Sequence, residues 1–208
     1  EPDSAVRKQL TDRLLIEADR MSATIDDLLE LSRIESTTQS YDEPIHMQTV
    51  VDEALERTRV AAEMAEIEVG SIGPDEPIMT SGNRDQLVTA LVNLVENAIK
   101  YSSAGDSISV RSRADNDEIT LVVQDSGRGI PARDLDRIFE RFYRVDRARE
   151  STTGGTGIGL SIVRHVAMNH GGTVVVTSFE GDGSTFTMTL PRSVPQNSPE
   201  PAIGESHQ

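Results

Sequence analysis

Three short clusters, in fixed order over about 70 residues, constrain this chain more than any other feature. They read Asn93-Leu-Val-Glu-Asn97-Ala-Ile-Lys100-Tyr101, then Asp125-Ser-Gly127-Arg-Gly129-Ile130-Pro131, then Gly154-Gly155-Thr156-Gly157-Ile158-Gly159-Leu160. One glycine-rich run alone is a weak signal. In this order the three offer a metal ligand, a group that reads a base and a cradle for phosphate, the parts of a nucleotide site.

The residue chemistry supports that division of labour. Asn93 and Asn97 lie four apart, so a helix carries both on one face. An amide oxygen is a neutral, hard ligand suited to Mg²⁺, which also takes phosphate oxygens and water. Lys100 adds positive charge one turn on, beside Tyr101. Two buried, hydrogen-bonded amides are the alternative, although Asn is a poor helix former. Asp125 ends an apolar strand. Its carboxylate accepts from the exocyclic amine of adenine and repels the oxygen that guanine shows there. Gly127 and Gly129 let the backbone turn sharply and approach a flat ring. A tight turn after a strand is the plainer reading of the same letters.

Gly155, Gly157 and Gly159 sit where a loop enters a helix, and free N–H groups at a helix start favour phosphate. The run lacks the Lys-Ser/Thr of a P-loop, and Leu160 stands where a dinucleotide fingerprint needs glycine. A flexible linker is the alternative, but Leu160, Ile162, Val163 and Val166 continue as an apolar helix face. Between the glycine clusters lies Ile138-Phe139-Glu-Arg-Phe142-Tyr143-Arg144-Val-Asp-Arg147-Ala-Arg149. Its aromatics suit anchoring, and its arginines suit either a triphosphate or solvent.

Composition narrows the partners. The net charge of −15 over 208 residues repels phosphate backbones, so nucleic acid is not expected. With 3% aromatic residues and no Trp, the core must be aliphatic. Cysteine is absent, and His46, His165, His170 and His207 are not spaced as paired metal ligands. No apolar run reaches the length of a membrane span.

Periodicity gives an α+β organisation. Residues 5–34 read as one long helix, with Leu10, Leu14, Ala18, Met21, Ile25, Leu28 and Leu31 recurring in steps of four or three. At 1.5 Å per residue it spans ~45 Å, and its stripe needs a partner helix or its own domain. A polar linker at 37–43 precedes a mixed region. Short strands are expected at 45–47, 67–69 and 78–80, with helices over 49–64 and from a cap at Asn83 or Ser81 through Ile99. Residues 108–110 and 119–123 read as a hairpin across 114–117, and 157–169 as a helix. A second hairpin pairs 172–179 with 184–190. Residues 193–208, rich in Pro, Ser and Glu, read as a disordered tail. The sum is a two-layer α/β sandwich of mostly antiparallel strands, with helices on one face.

These stretches resemble the asparagine, first-glycine, phenylalanine and second-glycine boxes of sensor histidine kinases. Those kinases belong to the ATPase superfamily shared with gyrase, Hsp90 and MutL. The likeness covers 42–192, and the wording is similar to actinobacterial kinases of the phosphate-responsive type. Ile25-Asp-Asp-Leu-Leu-Glu-Leu-Ser-Arg-Ile-Glu35 resembles the second helix of their dimerisation and phosphotransfer domain. The resemblance implies a Bergerat-type ATP-binding fold at 44–192, preceded at 1–36 by a helix from a dimerising bundle.

It also implies roles for particular residues. Asn97 holds Mg²⁺ with Asn93 beside it, and Lys100 and Tyr101 line the phosphate and sugar side. Asp125 reads adenine, with Gly127, Gly129 and Ile130 against the ring. Tyr143 and Arg144 belong to a lid over 141–157, whose Arg144 reaches the γ-phosphate. Gly155, Thr156, Gly157, Ile158, Gly159 and Leu160 form its second hinge and the wall. The catalytic roles fall to Asn97 and Arg144, the cofactors being ATP and Mg²⁺.

The family's phosphoaccepting histidine has no counterpart here, so the acceptor is expected on a helix outside this chain. The resemblance implies a cytoplasmic fragment of a membrane-anchored, homodimeric parent that passes phosphate to a response-regulator aspartate. Where hydrolysing relatives carry a glutamate this chain has Asn93, and Glu96 is expected on another helix face. Slow ATP hydrolysis follows. Ser126 and Asn83 replace residues frequent in the family without touching nucleotide binding. The rival readings are an anti-sigma-factor serine kinase and a nucleotide-binding or dimerisation module that transfers nothing by itself.

Overall fold

The computed structural model describes residues 4–36, 44–74, 76–115, 117–145 and 155–192. The expected linker at 37–43, the tail at 193–208, Gly154, Arg147 and Arg149 lie outside the described residues.

The chain order is α1 (Ser4–Ser36), β1 (Pro44–His46), α2 (Met47–Met64), β2 (Glu68–Ile72), β3 (Met79–Ser81), α3 (Arg84–Tyr101), β4 (Ser107–Ala114), β5 (Glu118–Asp125), α4 (Gly159–Asn169), β6 (Thr173–Phe179) and β7 (Gly183–Pro191). A short 3-10 turn at Ala132–Asp134 was not expected from the sequence. Five strands form one sheet in the order β2-β4-β5-β7-β6, while β1 and β3 pair apart from it. All pairings are antiparallel except β2 with β4, which runs parallel.

Period-two burial explains the two layers. Ile108 and Val110 of β4, Ile119, Leu121 and Val123 of β5, and Phe186, Met188 and Leu190 of β7 are all buried on one face. The helices cover that face. α3 lies in the middle with Leu87, Leu91, Leu94, Val95 and Ala98 buried, against α2 on one side and α4 on the other. Each such leucine or valine contributes about 1.5–3 kcal/mol by leaving water. Asn83 caps α3, its side-chain oxygen accepting the Gln86 N–H at 3.1 Å. The cap fixes where the helix starts and therefore which residues its polar stripe presents.

β2, β4, β5 and β7 run longer than the alternation in the sequence suggested, while β1 and β3 shift by one residue and β6 starts at Thr173 rather than 172. β2 reaches Ile72, and β5 begins at Glu118 and ends at Asp125. α2 starts at Met47 rather than 49, and α4 at Gly159 rather than 157.

α1 buries only part of its apolar stripe on its own domain. Its C-terminal end docks on the domain, with Leu31 and Ile34 buried and Asn169 Nδ2 donating to the Ile34 carbonyl at 2.8 Å. Further back, Leu10, Leu14, Met21 and Ile25 remain exposed. A seam of that kind is what a partner helix covers.

Candidate functional site

β5 lies between β4 and β7, and its last residue is Asp125. The carboxylate is buried. Its Oδ1 accepts the backbone N–H of Gly127 at 2.9 Å and of Ser184 at 3.1 Å. Those bonds fix the plane of the group and leave the second oxygen for a ligand. Burial pushes the Asp125 pKa up, opposed by the two N–H bonds and reinforced by Asp106.

The next turn is locked into its surroundings. The Arg128 N–H donates to the Tyr101 carbonyl at 3.1 Å, and the Gly181 N–H donates to the Arg128 carbonyl at 2.8 Å. Ser178 Oγ accepts the Ile130 N–H at 2.8 Å and donates to the Gly183 carbonyl at 2.7 Å. This packing by itself demands both glycines. A Cβ on Gly127 would collide with the Tyr101 carbonyl, and one on Gly129, at φ +69°, with that of Phe179.

α3 presents Asn93, Glu96, Asn97 and Lys100 to one cleft. Spacings of three, four and seven place all four on one stripe. The expectation that Glu96 turns to another face is therefore corrected. Glu96 stands beside Asp27 of α1, and burial followed by the Asp27 charge raises its pKa. Asn93 Nδ2 donates to the Thr89 carbonyl at 2.9 Å, and its Oδ1 faces Gly159, where a Cβ would overlap it. A Cβ on Gly155 would likewise strike Lys100 Nζ. The glycines let this backbone lie directly on the polar stripe of α3.

A second junction closes the far side. The Phe142 N–H donates to the Gly157 carbonyl at 2.8 Å, and Gly157 has φ +74°. Phe142 is itself left-handed at φ 62°, which costs a non-glycine residue about 1–2 kcal/mol. Tyr143 Oη donates to Asp134 Oδ1 at 2.6 Å, and the Arg137 guanidinium lies 4.2 Å from the centre of the Tyr143 ring. Hydrogen bonding to Asp134 raises the phenol pKa. Toward α1, Thr156 Oγ1 donates to Asp27 Oδ2 at 2.5 Å, and Glu35 meets Arg141 and, at 2.9 Å, His165 Nε2.

The cleft so formed holds about 350 Å³. Of the residues expected at the site, Asn93, Asn97, Lys100, Tyr101, Asp125, Gly129, Ile130, Tyr143, Arg144, Gly155, Thr156, Gly157, Gly159 and Leu160 line it. Gly127 and Ile158 do not. Gly127 packs on the end of α3, and Ile158 is fully buried in the core just before α4. The sequence reading missed Ala23, Asp27, Glu96, Arg128, Ile138, Val145 and Ser184. Glu96 was legible from its spacing to Asn93. Ala23 and Asp27 were not, because only the docking of α1 brings them there.

The lining fits a nucleotide with a divalent cation. A buried carboxylate sits at one strand end, while Lys100 and Arg144 supply positive charge. Among the described residues no group of three or more His, Cys, Asp or Glu is arranged to hold a metal. An amide oxygen together with a ligand's own phosphates is a donor set that suits Mg²⁺.

A family model described as histidine kinase-, DNA gyrase B- and HSP90-like ATPase matches residues 82–194. The sensor-like histidine kinase SenX3 of Mycobacterium tuberculosis (strain H37Rv) is 44% identical over 190 residues, 91% of this chain and 46% of that protein. The phosphate regulon sensor protein PhoR of Pseudomonas aeruginosa is 38% identical over 176 residues, 82% of this chain and 39% of that protein. The chain thus spans less than half the length of either of these relatives. Among solved structures, the mycobacterial sensor histidine kinase MprB is 32% identical with a TM-score of 0.63, covering 73% of this chain and 97% of that one.

Proposed function

Because the chain belongs to the histidine kinase-, DNA gyrase B- and HSP90-like ATPase family, we propose that it is the ATP-binding catalytic part of a sensor histidine kinase. It donates the γ-phosphate of ATP to a histidine outside this chain, from which the phosphate passes to an aspartate of a response regulator. One observation carries this reading: a single cleft is lined by Asp125 at one strand end and by Asn97, Lys100 and Arg144.

The chain's own residues supply position and charge, which is most of what phosphoryl transfer asks of a protein. Asp125 accepts the exocyclic amine of adenine with the oxygen that backbone N–H groups leave open. Asn97 and Lys100 hold the phosphate end, and Arg144 neutralises charge that develops there. Bound Mg²⁺, held by the Asn97 amide oxygen, would supply further charge neutralisation. Asn93 has no basic group with which to activate water. Ile138 and Leu160 present apolar surface to the cleft and restrict solvent.

The exposed seam of α1 supports a homodimeric parent, its stripe covered by a second copy and by the histidine-bearing helix. No described helix is long and apolar enough to cross a membrane, and membrane anchoring belongs to the proposed parent. The likeness to PhoR supports a phosphate-responsive parent.

A second reading is a module that binds ATP and transfers nothing, even to a supplied histidine; among the described residues no histidine lines the cleft. Incubation with γ-labelled ATP, with and without a separate histidine-bearing domain, separates the two. Label on the histidine in the mixture supports transfer. Nucleotide binding without label in the mixture supports the module.

A further inference from the structure

We propose that Asp134 is a positioning residue for the nucleotide cleft, acting through Tyr143 to set the aim of Arg144. This rests on the reading of the cleft as an ATP site. Asp134 lies in the 3-10 turn after the second cluster, is 6% exposed and does not line the cleft. A buried carboxylate is costly unless it is well partnered. Among the described residues it has one short side-chain hydrogen bond, from Tyr143 Oη at 2.6 Å to Oδ1. The other oxygen, Oδ2, has no hydrogen-bond partner and lies 3.6 Å from Nε of the exposed Arg133. The turn does not need a charge to form. Its own bonds are made by backbone, Asp134 N–H to the Pro131 carbonyl at 2.9 Å and Ile138 N–H to the Asp134 carbonyl at 3.1 Å.

What the carboxylate holds is the phenol. Tyr143 is fixed at its tip by Asp134 and across its face by Arg137. Its two neighbours give the clamp its consequence. Phe142, on one side, is strained at φ 62° and tied to Gly157. Arg144, on the other, lines the cleft with Tyr143 itself. Releasing the phenol frees the strained joint to relax, and Arg144 moves with it. Sequence pattern hides this link, because Asp134 reads as one more surface carboxylate after Arg133.

The test is a calorimetric titration of the full chain and four variants with Mg-ATP and Mg-ADP. Tyr143→Phe deletes one oxygen at a partly exposed site and leaves folding intact. Asp134→Ala and Tyr143→Phe are each expected to weaken ATP about tenfold and ADP by less than threefold, since Arg144 serves the terminal phosphate. The double variant is expected to be no weaker than either single one. Asp134→Asn keeps an acceptor for the phenol and is expected to stay within about threefold of the parent. Equal loss for ATP and ADP, additive effects, or a Tyr143→Phe variant that binds like the parent would overturn the clamp. A parent that binds no nucleotide would instead sink the ATP reading on which it stands.

Discussion

Gly159, the first residue of α4, lies so close to Asn93 of α3 that a Cβ built on it would overlap the amide oxygen. Two of the three sequence clusters therefore meet as a backbone face against a side-chain amide. Gly159→Ala is expected to displace Asn93, weakening Mg-ATP about tenfold while costing about 1–3 kcal/mol of stability, as overpacking does. Calorimetry and denaturant unfolding on one sample measure both.

Asp125→Asn separates binding from stability. Burial raises the Asp125 pKa, so the fold favours the protonated form. The contribution is fully present below the unfolded pKa and is lost as pH rises through the folded value. At neutral pH the ionised group therefore costs stability. The variant, which keeps an oxygen for Gly127 and Ser184, is expected to melt higher than the parent without nucleotide. It is also expected to bind ATP more weakly and to discriminate less against GTP. Thermal melts and competition titrations check the two halves.

His170 ties α4 to the start of α3. Its Nδ1 donates to the Val166 carbonyl at 2.7 Å, and Nε2 accepts the Asn83 N–H at 3.0 Å. That arrangement needs the neutral ring, and burial lowers the pKa from its ordinary 6.5. Stability from this residue is present above 6.5 and lost as pH falls below it toward the folded value. His170→Gln is expected to flatten the drop in melting temperature on acidification below that point, read by circular dichroism.

Besides Asp125, the described lining of the cleft carries Asp27 and Glu96, whose charges oppose phosphate. Glu96→Gln is expected to raise Mg-ATP affinity about two- to fivefold at low salt, an effect that shrinks as salt is added. A Glu96 that ligated the metal would give the opposite sign. Steady-state ATP hydrolysis is expected to remain slow in the parent, because position 93 carries no base. Glu96, which does line the cleft, is expected not to replace it, so that Glu96→Gln leaves the rate unchanged.

Arg144→Ala is expected to slow phosphoryl transfer to a supplied histidine domain by about 10²- to 10³-fold, against a smaller loss in ATP affinity. Single-turnover transfer at saturating ATP isolates the first effect.

Most of the sheet and the helix layer was legible because β4, β5 and β7 alternate cleanly, and because Asn83 and the apolar stripe of α3 mark a capped amphipathic helix. The parallel pairing of β2 with β4 was not, since β2 has few large apolar side chains and its partner is far along the chain. The site was legible where chemistry sits in short-range spacing, as in Asn93, Asn97 and Lys100. It was opaque where tertiary packing decides. The contact of Gly127 with Tyr101, the reach of Asp27 from α1 and the bond between Asp134 and Tyr143 join residues whose letters carry no sign of each other. Glu96 was misassigned although its spacing of three from Asn93 already placed it on the same stripe.

Calorimetric titration of the purified chain with ATP in the presence of Mg²⁺, beside the Asn97→Ala variant, asks whether the cleft holds the nucleotide and whether Asn97 holds it there. Saturable one-site binding by the parent, a rise in its melting temperature, and loss of both in the variant are expected. A parent chain that shows neither heat nor a melting shift, or a variant that binds as tightly as the parent, would contradict these roles.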